Sequence, residues 1–176
     1  MNKDFLIRAA TEADARAIAE IHVGGWLWAY RGLVPDGLLD SLSVDRREEG
    51  WRRGFADHRP GRAVFVAERD ARAIGFVACG RSMDDDAAKG CGEVYAIYIE
   101  HEVQGTGVGR ALLARAVQHL REYGFRQATL WVLANNDRTR RFYEVAGWRP
   151  DGTEKTDEWH GFPLREARYR IEFPAG

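Results

Sequence analysis

Six consecutive residues, Gln104-Gly-Thr-Gly-Val-Gly109, form the sharpest chemical feature of the sequence. They follow an apolar segment at 93–100 and open directly into a helical pattern. Glycines accept dihedrals and close backbone approaches that a side chain would block. The unpaired N–H groups of a helix start then hold phosphate oxygens, aided by the positive end of the helix. A turn of this composition is chemically a pyrophosphate cradle, and a packing corner before a helix is the other use of the same glycines. It is not a nucleotide P-loop, because Arg110-Ala111 stand where that pattern needs Lys and a hydroxyl. Nor is it a dinucleotide fingerprint: the glycines fall at 105, 107 and 109, and no βαβ unit begins the chain.

Other chemistry is sparse. Cys79 and Cys91 are too few for a disulfide framework, and neither has metal-ligand spacing or a partner among the five scattered His residues, so no metal is expected. Lys and Arg number 26 against 27 Asp and Glu, a balance that argues against a large nucleic-acid footprint. No apolar run is long enough to span a membrane, and the N-terminal residues lack the continuous apolar stretch of a signal peptide. The expected location is cytoplasmic.

The elements that must position the glycine turn follow from periodicity. Residues 5–10 read as a first strand, and Thr11-Glu-Ala-Asp14 resembles a capping box leading into a helix whose pattern Gly24-Gly25 interrupts. Helical pieces are expected up to about residue 55. Residues 63–68 and 73–80 flank a short polar turn and predict a β-hairpin. A polar, acidic loop at 82–90 precedes the strand at 93–100, rich in β-branched and aromatic residues. Leu112, Leu113, Ala116, Val117 and Leu120 recur at three and four, predicting a helix from Val108 to near Gly124. A strand at 128–133, a helix at 136–146 and a strand pair within 154–159 and 167–173 complete a single domain over 1–176.

The sequence closely resembles the GNAT family of N-acetyltransferases. Gln104, Gly107 and Gly109 match its signature of Gln or Arg, two residues, Gly, one residue, then Gly or Ala. A second block, ATLWVLANNDRTRRFYEVAGW, matches through Asn136, Phe142, Tyr143, Gly147 and Trp148. His101 stands about where the family has a proline, and Thr139 replaces a common alanine. The resemblance implies an α/β fold (α+β in some schemes): a mixed, mostly antiparallel twisted central sheet flanked by helices, with two neighbouring parallel strands splayed apart. It implies acetyl-CoA as cosubstrate, with the pantetheine arm in the gap. The coenzyme-contacting set would be Ile97, Tyr98, Ile99, Gln104, Gly105, Thr106, Gly107, Val108, Gly109, Arg110, Asn136 and Tyr143.

An amine attacking a thioester must be neutral, its oxyanion must be stabilised, and the departing thiolate is best protonated. On the resemblance, Tyr143 is the general acid, with a packed tyrosine as its alternative. Glu93 is the leading base and an acceptor contact, the alternative being a strand-end acid. A backbone N–H near residues 97–99 would bind the oxyanion. Asn136 would hydrogen-bond the pantetheine, cap its helix, or do both. Trp26 and Tyr30 fall where relatives line the acceptor pocket, and core packing explains such aromatics equally well. Direct transfer is expected, with no acyl-cysteine at Cys91. The partner is an amine-bearing small molecule, protein or peptide, with neither nucleic acid nor membrane; family habit adds a homodimer. The competing function is a coenzyme-binding sensor or structural protein with little turnover. Asp84–Asp86 and Asp157-Glu158 suit a cationic acceptor or a solvated face.

Overall fold

Alternation along residues 63–81 sets the two faces of the sheet. The computed structural model of the chain describes residues 4–174. β1 (Leu6–Ala9) is followed by β2 (Ala63–Arg69), which turns through Asp70 and Ala71 into β3 (Arg72–Arg81). Both turn residues have positive φ, 50° and 58°, the geometry that suits strand twist in a two-residue hairpin. β2 sends Val64 and Val66 to one face and Phe65 and Ala67 to the other, as a pleat requires.

The remaining strands are β4 (Cys91–Ile99), β5 (Gln127–Leu133), β6 (Arg149–Trp159) and β7 (Phe162–Glu172). The seven lie in the order β1-β2-β3-β4-β5-β7-β6. Only β4 and β5 pair parallel; every other neighbouring pair is antiparallel. The architecture expected from the sequence is therefore the one observed.

Helices cover both faces. α1 (Ala15–Tyr30), α2 (Asp36–Leu39) and α3 (Val44–Ala56) precede β2, α4 (Val108–Glu122) joins β4 to β5, and α5 (Asp137–Val145) follows β5. α4 lays Val108, Leu112, Leu113, Ala116 and Leu120 against Phe65, Val77, Val94 and Leu130, the apolar stripe that a 3.6-residue period produces. On the other face Ile18 and Ile21 of α1 pack with Val64, Val66 and Phe76, and Trp51 and Phe55 of α3 join them. Among the described residues no helix is long and apolar enough to cross a membrane.

Two expectations need correction. Gly24-Gly25 does not interrupt α1, which runs unbroken to Tyr30. A Cβ at Gly25 would lie 2.5 Å from Cδ1 of Tyr98, so glycine lets the helix pass close over that ring. Its local cost, roughly 1 kcal/mol against alanine, is outweighed by the packing on either side. The last strand pair is also longer than its apolar core suggested. Its extra residues alternate between exposed and half-buried positions, and such polar strands leave little hydrophobic signal.

Candidate active site

The parallel ladder of β4 and β5 is only three pairs long: Cys91 with Gln127, Gly92 with Ala128 and Glu93 with Thr129. Beyond Glu93 the strands part. From Val94 to Ile99 the side of β4 turned toward β5 has no strand to pair with, so half of its backbone N–H and C=O groups face the gap. A cleft of about 910 Å³ opens there, with residues 94–99 along one wall and Trp131 and Val132 on the other.

A bulge adjusts what β4 presents. Ala78 pairs with Ala96 and Cys79 with Val94, leaving Tyr95 as an extra residue. Val94, Ile97 and Ile99 consequently pack toward α4, while Tyr95, Ala96 and Tyr98 pack toward α1 and α3. A bulge of this kind resets the alternation by one residue. Tyr98 thereby reaches the underside of α1, and its hydroxyl lies 3.1 Å from that of Tyr30.

At its far end β4 delivers the chain into the glycine turn. Gly105 and Gly107 have φ of 77° and 91°, and Gly107 is the left-handed N-cap of α4. The first helical bond runs from Ala111 N to Gly107 O, 3.0 Å, so the N–H groups of Val108, Gly109 and Arg110 are free of it. A Cβ at Gly105 or Gly107 would meet nothing within 4 Å; the space before the turn is open. Thr106 Oγ1 donates to Val103 O at 2.6 Å and ties the turn to its base. Arg138 of α5 donates to the Gln104 side chain from across the cleft.

Tyr30, Ile97, Tyr98, Ile99, Gln104, Gly105, Thr106, Gly107, Gly109, Arg110, Asn136 and Tyr143 all line this one cleft. Val108 does not, because its side chain is fully buried in the core and only its backbone belongs to the turn. Asn136 caps α5, accepting from Thr139 N at 3.2 Å. Tyr143 is 6% exposed, and among the described residues its hydroxyl makes no hydrogen bond. Burial, then the neighbouring Tyr30, pushes its pKa above the ordinary phenol value, so it holds its proton throughout neutral pH.

Glu93 and Trp26 lie outside the cleft lining. Glu93 is 6% exposed and accepts from Met83 N at 2.8 Å and Ser82 Oγ at 3.3 Å. Burial raises its pKa against the pull of the Met83 N–H. Through its pairing with Thr129 it shares a sheet face with Trp131, which does line the cleft. Trp26 is wedged between Tyr30 and Trp159, with ring centroids 4.8 and 5.0 Å away.

The acidic loop at 82–90 is tied down. Arg168 of β7 meets Asp84 at 3.2 Å, Asp86 at 2.7 Å and Asp151 at 2.8 Å, and Trp131 Nε1 donates to Asp84 at 2.9 Å. Sequence reasoning missed Trp131, Arg138 and Glu166. The first was legible, since alternation within ATLWVL puts it opposite the buried Leu130 and Val132. Glu166 acts on Tyr30 through its charge, and it does so because β7 returns next to β5. Burial raises its pKa against the opposing charge of Lys155, 3.4 Å away. Burial also pushes the Cys79 thiol up to about 12 and raises that of Cys91, so neither is a ready nucleophile. Among the described residues no cluster of His, Cys, Asp and Glu could hold a metal ion.

Comparison with known proteins agrees with this geometry. The family model described as "Acetyltransferase (GNAT) family" matches residues 26–148. The uncharacterized N-acetyltransferase YuaI of Bacillus subtilis (strain 168) is 34% identical over 131 residues, which are 74% of this chain and 72% of that protein. Mycothiol acetyltransferase of Thermobispora bispora is 31% identical over 65% of this chain, but the match spans only 48% of that longer protein. Among solved structures, the PaiA N-acetyltransferase of Thermoplasma acidophilum, in complex with coenzyme A, superposes with a TM-score of 0.77 at 17% identity, covering 96% of this chain and 99% of that one. A phosphinothricin acetyltransferase of Sinorhizobium meliloti, in complex with AcCoA, gives 0.74 at 23% identity over 96% and 88% of the two chains. Those two share the fold. With the family match over most of its length, the chain belongs to the acetyltransferase (GNAT) family.

Proposed function

We propose that the chain is an N-acetyltransferase that binds acetyl-CoA in the cleft between β4 and β5 and passes the acetyl group directly to a primary amine. The observation that carries this reading is the unpaired edge of β4 running straight into the left-handed glycine turn. An extended pantetheine amide chain would bond to residues 94–99 as an added strand. Its pyrophosphate would reach the N–H groups of Val108, Gly109 and Arg110. That structural neighbours were solved with coenzyme A and with AcCoA supports the choice of this coenzyme.

The chain's own residues then have defined tasks. A backbone N–H of β4 near Ile97 holds the oxygen that becomes negative as the amine attacks, and Tyr143 gives its proton to the departing sulfur. Glu93, its pKa raised by burial, takes the amine's proton through intervening polar groups or water. With both an acid and a base present, turnover is favoured over a sensor that only binds. The expected location stays cytoplasmic.

The reading is tested by titrating acetyl-CoA into the protein and into Gly107→Val. Valine at φ 91° is strained, and its methyls enter the space reserved for phosphate. Binding is expected to weaken at least about tenfold in a folded variant, the scale of one or two lost charge-assisted bonds. Wild-type affinity in the variant would remove the cradle from the argument.

Glu93→Gln tests the base. Wild-type activity rises as Glu93 ionises, so kcat/KM of the variant should fall short most at pH 8, by about tenfold or more, and least near pH 5. Stability should move the other way. A buried carboxylate with a raised pKa costs the fold most above that pKa and nothing below the unfolded value, so Glu93→Gln gains stability at pH 8 that disappears in acid. A gain in Tm without loss of rate would assign Glu93 to the fold alone.

A further inference from the structure

We infer that the acceptor amine also carries an acid group, held in an arginine-lined cavity between α3 and the β6–β7 hairpin. This rests on the acetyltransferase reading and names a substrate class for it: the cavity and the cleft share no lining residue but meet where His22, on the cavity side, stacks on Tyr98, on the cleft side. The cavity measures about 510 Å³; Arg46, Arg47, Arg53 and Arg62 line it together with His22 and Trp159, and no Asp or Glu does.

The partners of these arginines separate one from the rest. Arg62 meets Asp57 at 3.3 Å, Arg53 meets Glu49 at 4.0 Å, and Arg46 donates to Ser41 O at 3.3 Å. The Arg47 guanidinium makes no ion pair or hydrogen bond among the described residues, although it is partly buried, and burial lowers its pKa. A desolvated cation without a counter-charge is costly to a fold, and a bound anion removes that cost.

The wall between cavity and cleft also carries more donors than acceptors. His22 stacks on Tyr98 with centroids 4.8 Å apart. Its Nδ1 accepts from Trp51 Nε1 at 3.3 Å, and burial lowers its pKa to about 3. The ring is therefore neutral with its proton on Nε2, a donor. The Tyr30–Tyr98 pair leaves one hydroxyl hydrogen over. Trp26 Nε1 is buried and makes no well-formed hydrogen bond among the described residues, although the Tyr98 hydroxyl is an acceptor close enough to feel it. An oxyanion with several lone pairs suits such a set. Of the acids that could draw a cationic acceptor, Asp84, Asp86 and Asp151 are taken by Arg168 and Asp157 and Glu166 by Lys155, while Asp85 and Glu158 have no ion-pair partner among the described residues. The size fits a small molecule, so the class is a carboxylate- or phosphate-bearing amine.

The test measures thiol release from acetyl-CoA with three matched sets: α-amino acids, the same amines without the carboxylate, and aminoalkyl phosphates. One acidic set should exceed the plain amines in kcat/KM by about 10- to 100-fold, the value of a bond to a charged group; which acidic set does so separates carboxylate from phosphate. Arg47→Met should raise KM for the acid by a similar factor and leave acetyl-CoA affinity unchanged, with Arg47→Lys recovering part of the loss. The ligand-free Arg47→Met protein should be at least as stable as wild type, because an unpaired charge has been removed. Preference for plain or cationic amines, or an unchanged KM in Arg47→Met, overturns the inference. Thermal shift by the same acids reads the cavity without turnover: a shift lost in Arg47→Met supports it and no shift from any acid sinks it. Failure of acetyl-CoA to bind at all would instead sink the acetyltransferase reading.

Discussion

Tyr143→Phe is expected to slow single-turnover acetyl transfer about 100-fold, the low end for loss of a general acid, while acetyl-CoA Kd stays where it was. The ring packs against Phe142, Trp148 and Tyr169, with centroids 5.2, 6.3 and 6.4 Å away, and phenylalanine keeps those contacts. Among the described residues the hydroxyl has no hydrogen-bond partner to abandon, so its removal should leave stability unchanged or slightly improved. On the proposed mechanism, what disappears is the proton donor for the departing sulfur, an interaction made in the transition state and hardly at all before it. Product release could mask the effect in steady state, which is why a single turnover with a confirmed amine is the proper measurement. Equal single-turnover rates would take Tyr143 out of the mechanism and leave the coenzyme cleft intact.

Arg168→Leu is expected to lower stability by about 3–5 kcal/mol, because it leaves carboxylates uncompensated in a poorly solvated place. The side chains of Arg168, Asp84 and Asp151 are only 11%, 14% and 11% exposed. For a domain of this size the loss corresponds to a fall in Tm of roughly 6–20 °C. The pH dependence has a definite sign. Burial tends to raise the pKa of Asp151, but the Thr153 N–H and Arg168 outweigh it and hold the carboxyl below its ordinary value. Arg168 does the same for Asp86. Stability from such groups is present above the unfolded pKa and lost as pH falls through the folded one. The deficit of the variant should accordingly be largest at neutral pH and shrink below about pH 4. A Tm within a degree or two of wild type at pH 7 would mean that the triad is a solvated surface cluster.

Much of this was legible in the residues. The glycine turn, the hairpin at 63–80 and the helix from Val108 show themselves through local spacing, and local spacing survives folding. The splay between β4 and β5 does not, because it depends on where a ladder stops, and nothing in residues 93–100 marks Glu93 as its last paired position. The bulge at Tyr95 hides for a similar reason: an aromatic in a β-branched run fits either face. Gly24-Gly25 misled because a helix breaker and a close helix–sheet contact call for the same residue. The acidic run at 82–90 looked solvated since its counter-ion, Arg168, lies far along the chain. Arg47 stands out only in three dimensions, where the partners of its neighbours can be compared with its own.

The three-residue ladder between β4 and β5 divides the sheet mechanically. β1 to β4 form one antiparallel panel and β5 to β7 another, and beyond Glu93 they are joined through α4 and side-chain packing, with no further backbone bonds between β4 and β5 among the described residues. A guest strand entering the gap would act as a zip, restoring the missing ladder and welding the panels into one continuous plate. Stiffness along this seam would then belong to the liganded protein, and each round of product release would unfasten it again.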